Sequence, residues 1–586
     1  MTDSSPHPAS ETPRSHEPAL RIRREVRQWL NAVAFVVALS TVALTWLGRN
    51  AGWLDFRPGG AAFEISVRPA LGVVFVAAVV LALRWEMLAG TIAGFAAGAL
   101  TVFAVQQLVA PHALLVVAGF AIPALCWVLV DLATHRATVG LTWLFAALVS
   151  TTLGVAVGQH VYDQLYGPTH PPSTFVALPP STVEWIWSGG VTGEGAVIKA
   201  KITEDFARVR LAIDDTDELT TPAWIEPASV EADVVTFVLD DLDPDRRYHY
   251  AVAVDGLVDL VRAGTFRTFP VGTADFTVAV GACARVGSNG AVFDAIRAAD
   301  PLFYVMTGDF HYGDVIENDI EAYREVLDLT LRQPAQAALY RSVPTAYVWD
   351  DHDYAGDESD ITSPARPAAM AAYRERVPSY PLAGPDDPIN QAFSVGRVRF
   401  VLTDTRSMRD PSVIPLEFRS MLGDEQRAWL IDELTTASRT HAAVVWVNAV
   451  PWVAEVDPDA DHWGAFPSER RAIAEAIADA GIDNLVMVSG DAHMVAIDDG
   501  SNTDYSADGD GGFPLLHAAP LDRPGRIKGG PYSEGVVAEG GQFGTIDVFD
   551  SGDAVRIVLT GRDWTGAPLL RHEVEFASPV EPSRSG

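Results

Sequence analysis

Three acid-and-histidine clusters stand directly behind short apolar runs in this chain. They are YVMTGDFHYGD (Tyr304–Asp314), AYVWDDHDYAGD (Ala346–Asp357) and LVMVSGDAH (Leu485–His493). Cys283 closes another such run, FTVAVGAC, and Asn448 a further one, in VNAVPW. A β-branched apolar run that stops at Gly or Asp predicts a buried strand ending in a loop. In open α/β sheets, ligands gather at the carboxyl ends of the strands. Taken singly, each residue has a bland role: a strand-end Asp is commonly a turn or cap residue, and a lone Cys packs. Their recurrence at strand ends points instead to one multi-metal site built from Cys283, Asp309, Tyr312, Asp350, Asp351, His352, Asp357, Asn448, Asp491 and His493. Carboxylates alone would suit Ca²⁺ or Mg²⁺. A thiolate, a phenolate and an imidazole beside them suit a softer or trivalent metal next to a hard one. Coordination also accounts for a free thiol at Cys283, because a metal deprotonates and occupies it.

The elements that must position these residues are alternating strands and helices over residues 273–577. The apolar runs FTVAVGAC, LFYVMTGD, AYVWDD, VRFVLTDT, AAVVWVNAVP and NLVMVSGD predict strands. Helical patterns lie between them at Ala291–Ala299, Asp319–Tyr340, Asp424–Ala437 and Glu469–Ala480, the last ended by Gly481. After Gly544 come TIDVF, AVRIVL and HEVEF, an antiparallel addition. Residues 181–272 read as all-β, with alternating runs such as VEWIW, AVIKAKI and ARVRLAI separated by turn residues, as in a sandwich. The stretch LDDLDPDRRYHYAVAVDG is similar to the fibronectin type III signature, with Tyr248 or Tyr250 as its tyrosine corner. Asp498–Gly512 is polar and Gly-rich, and its spacing is not that of an EF-hand.

The chain has 586 residues, mean hydropathy +0.14 and a formal net charge of −34. Both apolar residues and charge are unevenly spread. Apolar stretches of membrane-spanning length recur near Trp29–Leu47, Val67–Leu83, Met87–Ala110, His112–Leu132 and Thr138–Gly158. We therefore expect a transmembrane region of about five helices over 29–160, behind a disordered cytoplasmic tail at 1–28, with a Pro-rich linker at 161–180 and a short tail at 578–586. Arg21, Arg23, Arg24 and Arg27 before the first span place the N-terminus in the cytoplasm, and an odd number of spans places the rest outside. Arg49, Arg57 and Arg68 sit in a loop that runs against this orientation. Up to residue 165 the charges nearly cancel, so the acidity belongs to the remainder, where it opposes binding of nucleic acid. The two cysteines, Cys126 in the fourth apolar stretch and Cys283, leave no disulfide for the external part.

Residues 275–576 resemble the PhoD-type alkaline phosphatases and phosphodiesterases of the calcineurin-like metallophosphatase superfamily. The resemblance rests on a Cys-bearing first strand, G-D-x-x-Y, W-D-D-H-[DE], Asp404-Thr405-Arg406, Gly423-Asp424-Glu425-Gln426 and S-G-D-x-H, all present in order. It implies an αββα metallophosphatase sandwich behind a β-sandwich. It also implies Fe³⁺ held by Cys283, Asp309, Tyr312 and His493, with Ca²⁺ or another divalent ion at Asp350 or Asp351, Asp357 and Asp491. His352 would face the substrate as the catalytic residue, while His311, Asn448 and Arg406 are possible substrate or supporting residues. The implied activity is hydrolysis of a phosphate ester by a metal-bound hydroxide attacking phosphorus in line. The alternative is a non-catalytic, membrane-anchored binding or sensor protein that retains a metal site. Few ionisable residues interrupt the apolar stretches, which argues against a transporter.

Overall fold

The computed structural model describes residues 86–107, 137–169 and 181–578, apart from residues 204, 205, 289 and 508, and a few isolated helical positions before 137. The tails, the linker at 170–180 and the expected spans at Trp29–Leu47 and Val67–Leu83 lie outside the described residues, as does most of His112–Leu132. The chain divides into two compact units, 1–162 and 163–586.

In the first unit the described elements are helix α1 (Glu86–Gln107) and most of α2 (Ala137–Tyr166). They cover the third and fifth expected spans. Small residues make their contact. A Cβ on Gly98 would stand 2.3 Å from the Thr151 carbonyl oxygen, and one on Gly154 would stand 2.1 Å from that of Phe95. Gly94 and Gly158 complete a G-xxx-G spacing on each helix, the pattern that lets apolar helices approach closely without a hydrophobic drive between them. The large side chains Phe145, Leu148 and Leu153 point outward and are exposed. One helix among the described residues, Leu144–Tyr166, is long and apolar enough to cross a membrane.

The second unit begins with two antiparallel sheets. Strands β1 (Val183–Gly189), β2 (Ala196–Ile202), β6 (Val234–Leu239) and β5 (Ser229–Glu231) form one, in the order β1-β2-β6-β5. Strands β4 (Ala223–Ile225), β3 (Val209–Asp214), β7 (Arg247–Val254), β8 (Leu257–Val258) and β9 (Gly264–Arg267) form the other. Of the two tyrosines proposed as a corner, Tyr248 reaches back along the chain: its hydroxyl accepts from the Asp243 amide at 3.0 Å. Tyr250 is buried and donates to the Arg341 carbonyl at 2.9 Å, a bond that fastens this β module to the α/β part of the unit.

The rest of the unit is a pair of mixed sheets. The first has the order β12-β11-β10-β20-β21-β22, with β10 (Phe276–Gly281), β11 (Phe303–Thr307) and β12 (Thr345–Val348) parallel to one another. Strands β20 (Gln542–Asp550), β21 (Ala554–Asp563) and β22 (Pro568–Ala577) add to it antiparallel. The second has the order β13-β14-β15-β16-β18-β17-β19. In it, β14 (Val398–Thr403), β15 (Ala443–Asn448), β16 (Leu485–Ser489) and β18 (Leu515–Ala518) run parallel. Hairpin strand β13 (Gln391–Val395) and β17 (Val495–Asp498) run against them, and β19 (Gly535–Val537), antiparallel to β17, runs with them at the edge. The parallel strands are apolar on both faces because both faces are covered. Phe303, Phe393, Phe400, Leu516 and Ile546 fill the space between the sheets, and Trp446, Leu430 and Ile473 lie under the outer helices.

Those helices are α3 (Val292–Ala298), α4 (Ile320–Leu331), α5 (Pro334–Ser342) and α7 (Arg366–Arg376) on the side of the first sheet, and α8 (Gly423–Thr440) and α9 (Pro467–Ala480) on the other. A four-residue turn, α6 (Asp351–Tyr354), lies at the mouth. This is the αββα arrangement. The single helix expected over Asp319–Tyr340 is instead α4 and α5, because Pro334 cannot donate within a continuous helix and serves as the first residue of the second.

Candidate metal centre

All six strand-end segments meet at one edge of the paired sheets. Parallel strands deliver their carboxyl ends together, and the two sheets face each other, so residues far apart in sequence converge. Cys283, Asp309 and His493 offer ligand atoms all within 4.8 Å of one another, and so do Asp309, Asp351 and His352. Asp309 belongs to both groups. Cys283, Asp309 and Asp491 all have φ between 52° and 65°, the left-handed region costly for residues with a Cβ. Gly308 precedes Asp309 because nothing larger fits: its Cβ would stand 2.4 Å from that of Asp350.

The first group carries a donor set of sulfur, carboxylate, phenol and imidazole. His493 donates from Nδ1 to the Pro524 carbonyl at 2.9 Å, which leaves Nε2 as a bare lone pair. That nitrogen lies 2.9 Å from the Tyr312 hydroxyl, which also donates to Asp309 Oδ2 at 2.6 Å. One phenol proton therefore serves two acceptors. Asp309 Oδ1 is buried without any hydrogen-bond donor among the described residues. Burial pushes the Asp309 carboxyl up to about 7, and burial with the nearby Asp309 pushes the Cys283 thiol and Tyr312 phenol well above their usual values. Burial holds His493 well below its usual value, hence neutral. A metal cation bound among these atoms removes all of these strains at once, so the residues fit the group. Arg523 lies over the Tyr312 ring, 4.0 Å from its centroid.

The second group is richer in carboxylates and is already threaded by cations. Arg406, fully buried, donates from Nε to Asp350 and from its two terminal nitrogens to Asp461 at 2.8 and 3.0 Å. Arg409 reaches Asp461 at 2.8 Å. Lys528 Nζ donates to both oxygens of Asp491 at 2.7 Å. Asp351 accepts from the amides of His352 at 2.8 Å and Glu358 at 2.7 Å. Burial alone would raise it, but Arg406, His352 and Lys528 hold it below the usual carboxylate range. Asp350 Oδ2 is a second buried oxygen without a donor among the described residues.

The His352 ring packs against that of Tyr312 at a tilt of 36°, with centroids 4.1 Å apart, and its Nδ1 lies 2.5 Å from Asp314 Oδ1. Burial opposes its charged form, yet Asp351, Asp309 and Asp314 outweigh that and raise it well above the usual histidine value. Asp357 is exposed, with one oxygen 3.7 Å from His352 Nε2, and joins neither metal group. Asn448 spends its amide on the Val450 carbonyl and on the Trp463 indole at 3.0 Å, so both ends of its side chain brace the fold. His311 is buried and pushed down to about 4 by that burial, its Nδ1 accepting from the Gly313 amide at 3.3 Å.

Sequence reasoning missed Asp461, Lys528, Asp314 and Asp353. Asp353 braces the mouth: it accepts from the amides of Phe310 at 2.9 Å and Asp350 at 2.6 Å and from the Tyr347 hydroxyl at 2.5 Å. A signal for Lys528 was available. The chain has 42 Lys and Arg together, yet Lys occurs only at 199, 201 and 528. A lysine in a chain that otherwise uses arginine is a position to inspect.

Fold and site together define a metallophosphatase-type α/β domain. Residues 278–516 are a PhoD-like phosphatase domain, and the chain carrying it is a phosphoric ester hydrolase. Among solved structures it is similar to one of PhoD, at 17% identity and a TM-score of 0.54, over 70% of this chain and 92% of that one. It is also similar to the purple acid phosphatase PPD1 from yellow lupin seeds, at 12% identity and a TM-score of 0.49, over 67% and 74%. No curated protein sequence matches it.

Proposed function

We propose that this chain is a membrane-anchored phosphodiesterase or phosphomonoesterase, with Fe³⁺ in the group of Cys283, Asp309, Tyr312 and His493 and a hard divalent ion such as Ca²⁺ at Asp309, Asp351 and Asp491. The observation that carries the metal assignment is the bare, buried Asp309 Oδ1 beside a donor set of sulfur, phenol and unprotonated imidazole. Metal ions held there would supply Lewis acidity toward the phosphoryl oxygens. The chain's own residues do the rest. Asp309 joins the two groups and sets their spacing. Asp314 holds the His352 ring at Nδ1, which leaves Nε2 to hand a proton to the departing alkoxide. Arg406 and Lys528 keep the surrounding carboxylates from repelling an anionic substrate.

The membrane reading rests on α1 and α2, which pair through glycines and turn Phe145, Leu148 and Leu153 outward, the reverse of a soluble helix pair. With the N-terminal arginines inside, the catalytic part lies outside the cytoplasm. The test is metal analysis of the purified full chain together with hydrolysis of a nitrophenyl phosphodiester and a nitrophenyl phosphomonoester, and a topology reporter fused after Gly158. We expect bound iron, turnover of at least one ester and an extracytoplasmic reporter. A metal-free protein inactive on both esters overturns the enzymatic reading, and a cytoplasmic reporter overturns the topology.

A further inference from the structure

Arg341 stands four residues before β12, at the amino end of the strand whose carboxyl end carries Asp350 and Asp351. A cavity of about 220 Å³ opens beside it, where the β module meets α4 and α5. Four segments build its wall. Strand β1 supplies Glu184 and Trp185, the short turn Leu260–Arg262 supplies Arg262, the end of α4 supplies Arg332, and α5 supplies Ala337 and Arg341. Three arginines therefore line the cavity against one carboxylate, in a chain whose formal net charge is −34.

That carboxylate is already spent. Arg332 Nη1 donates to Glu184 Oε1 at 3.0 Å, and Lys201 Nζ lies 2.9 Å from Oε2. Arg262 is buried, donates from Nε to the Glu184 carbonyl at 3.3 Å and meets Asp259 at 3.3 Å. Asp259 also accepts from the Val261 and Arg262 amides. Arg341 differs: among the described residues its guanidinium has neither a carboxylate partner nor a hydrogen-bond acceptor. Its backbone is nevertheless fixed. The carbonyl accepts from the Tyr250 hydroxyl at 2.9 Å, and a Cβ on Gly264 would stand 2.4 Å from it. Burial holds the guanidinium below the usual arginine range, and Arg297 and Arg262 push the same way, against Tyr250 and Asp259. A half-buried cation among other cations loses hydration and gains repulsion. The chain has 76 Asp and Glu against 42 Lys and Arg, and none of those carboxylates is set on Arg341.

We infer that this cavity is a binding site for a small dianionic oxyanion of the phosphate class, held by Arg341, Arg262 and Arg332 and separate from the metal centre. A guanidinium fork matches two oxygens of a tetrahedral oxyanion, and the three forks come from three different segments. Trp185 and Ala337 wall the site, and beside apolar side chains an ion pair is worth more than in open water. The volume is below the range of about 300–1,000 Å³ for drug-sized ligands, so the occupant is inorganic phosphate or the phosphate end of a small monoester. Two negative charges balance the excess of arginine over glutamate in the wall. An ion there ties the β module to α4 and α5. The inference does not depend on the hydrolase reading.

The experiment melts the full chain, purified in detergent without phosphate, in inorganic phosphate, in methylphosphonate and in chloride of equal ionic strength, above neutral pH. Phosphate or methylphosphonate should raise the melting temperature well beyond chloride, because a ligand of the folded state stabilises it. A larger gain with phosphate identifies the free ion as the occupant, and a larger gain with methylphosphonate identifies the end of a monoester. Asp309→Asn, which disarms the metal centre, should keep the gain. Arg341→Met should need at least about tenfold more anion for the same gain, and Arg332→Gln, at the rim, should weaken it by less. Without anion, Arg341→Met should melt no lower than the wild type, since it removes an unpaired cation, whereas loss of a merely structural arginine would lower it. A gain that chloride reproduces overturns the inference. So does one that Asp309→Asn abolishes and Arg341→Met retains, which would place the anion at the metal centre alone.

Discussion

The side chains of Cys283, Asp309, Tyr312 and His493 hydrogen-bond to one another and to the Asp491 and Pro524 carbonyls, whereas those of Asp350, Asp461 and Asp491 are held by Arg406, Arg409 and Lys528. Both clusters are buried and both must avoid unpaired negative charge. The first does so by keeping its protons: thiol, phenol and Asp309 are all pushed toward their neutral forms. The second does so in part with fixed cations, which hold Asp461 and Asp351 below the usual carboxylate range, while burial still pushes Asp491 up to about 7 and Asp350 well above that range. The difference predicts what each binds. A cluster neutralised by protons can exchange them for a metal of high charge, since loading releases protons and leaves ligands that match it. A cluster neutralised by side chains offers a second cation less net charge, so its metal should be held more weakly.

Removing the shared ligand should have the largest effect. Asp309→Asn deprives both clusters of a carboxylate, and we expect loss of at least about 10³-fold in kcat, because a single missing electrostatic contact at a reacting centre already costs 10²–10³. Metal analysis should show both ions lost. Cys283→Ser, in contrast, should deplete only iron and leave binding of the divalent ion. If C283S sheds both ions equally, the two clusters are not separable and the comparison fails.

The next effect sharpens the second cluster. Lys528→Met leaves the Asp491 carboxylate buried without its two 2.7 Å donors. Breaking a buried pair from one side costs about 3–5 kcal/mol, and the partial exposure of Lys528 reduces that to about 2–3 kcal/mol in the metal-free protein. Added Ca²⁺ should restore the melting temperature of the variant more than it raises that of the wild type, since the ion takes the place of the ammonium. A variant that melts like the wild type without metal would show that Lys528 is not what neutralises Asp491.

The asymmetry was only half visible in the sequence. Cys283, Asp309, Asp351 and Asp491 could be found because each stands within two or three residues of a buried strand, and a buried strand announces itself by β-branched residues on both faces. The alternation of strands and helices followed from the same runs, and the αββα order from the family resemblance. What supplies the fixed cations lies in long loops: Asp461 after β15 and Lys528 after β18 have no periodic pattern around them, and only the fold brings them to Asp491. Helix α7 was missed because ARPAAMAAYRER presents short Ala and long charged residues in place of an apolar stripe. The split of α4 from α5 turned on Pro334 alone. Asp357 stood further along the loop after β12 and Asn448 at the end of β15, yet one is exposed and the other is spent on Val450 and Trp463. Spacing places a residue at an edge, but it does not aim the side chain.

The smallest effect concerns the loop both clusters share. His517 lies beneath the S-G-D-A-H turn that sends Asp491 to one cluster and His493 to the other. It is buried, accepts at Nδ1 from the Ser489 hydroxyl at 2.9 Å, and donates from Nε2 to the Ala492 carbonyl at 2.9 Å. Burial pushes it down to about 3, against about 6.5 for an unfolded histidine. The folded state therefore stays neutral where the unfolded state takes up a proton. Stability from this residue is complete above about pH 6.5 and falls as pH drops toward 3, by about 1.4 kcal/mol per unit, or about 2 kcal/mol by pH 5. His517→Gln removes that titration while keeping an amide that can donate to Ala492. Melting curves of the two proteins between pH 7.5 and 5 should converge as the pH falls, whatever the other groups contribute to both. Parallel curves would mean that the brace is already protonated in the fold, and that the turn common to both clusters is held by charge as the second cluster is.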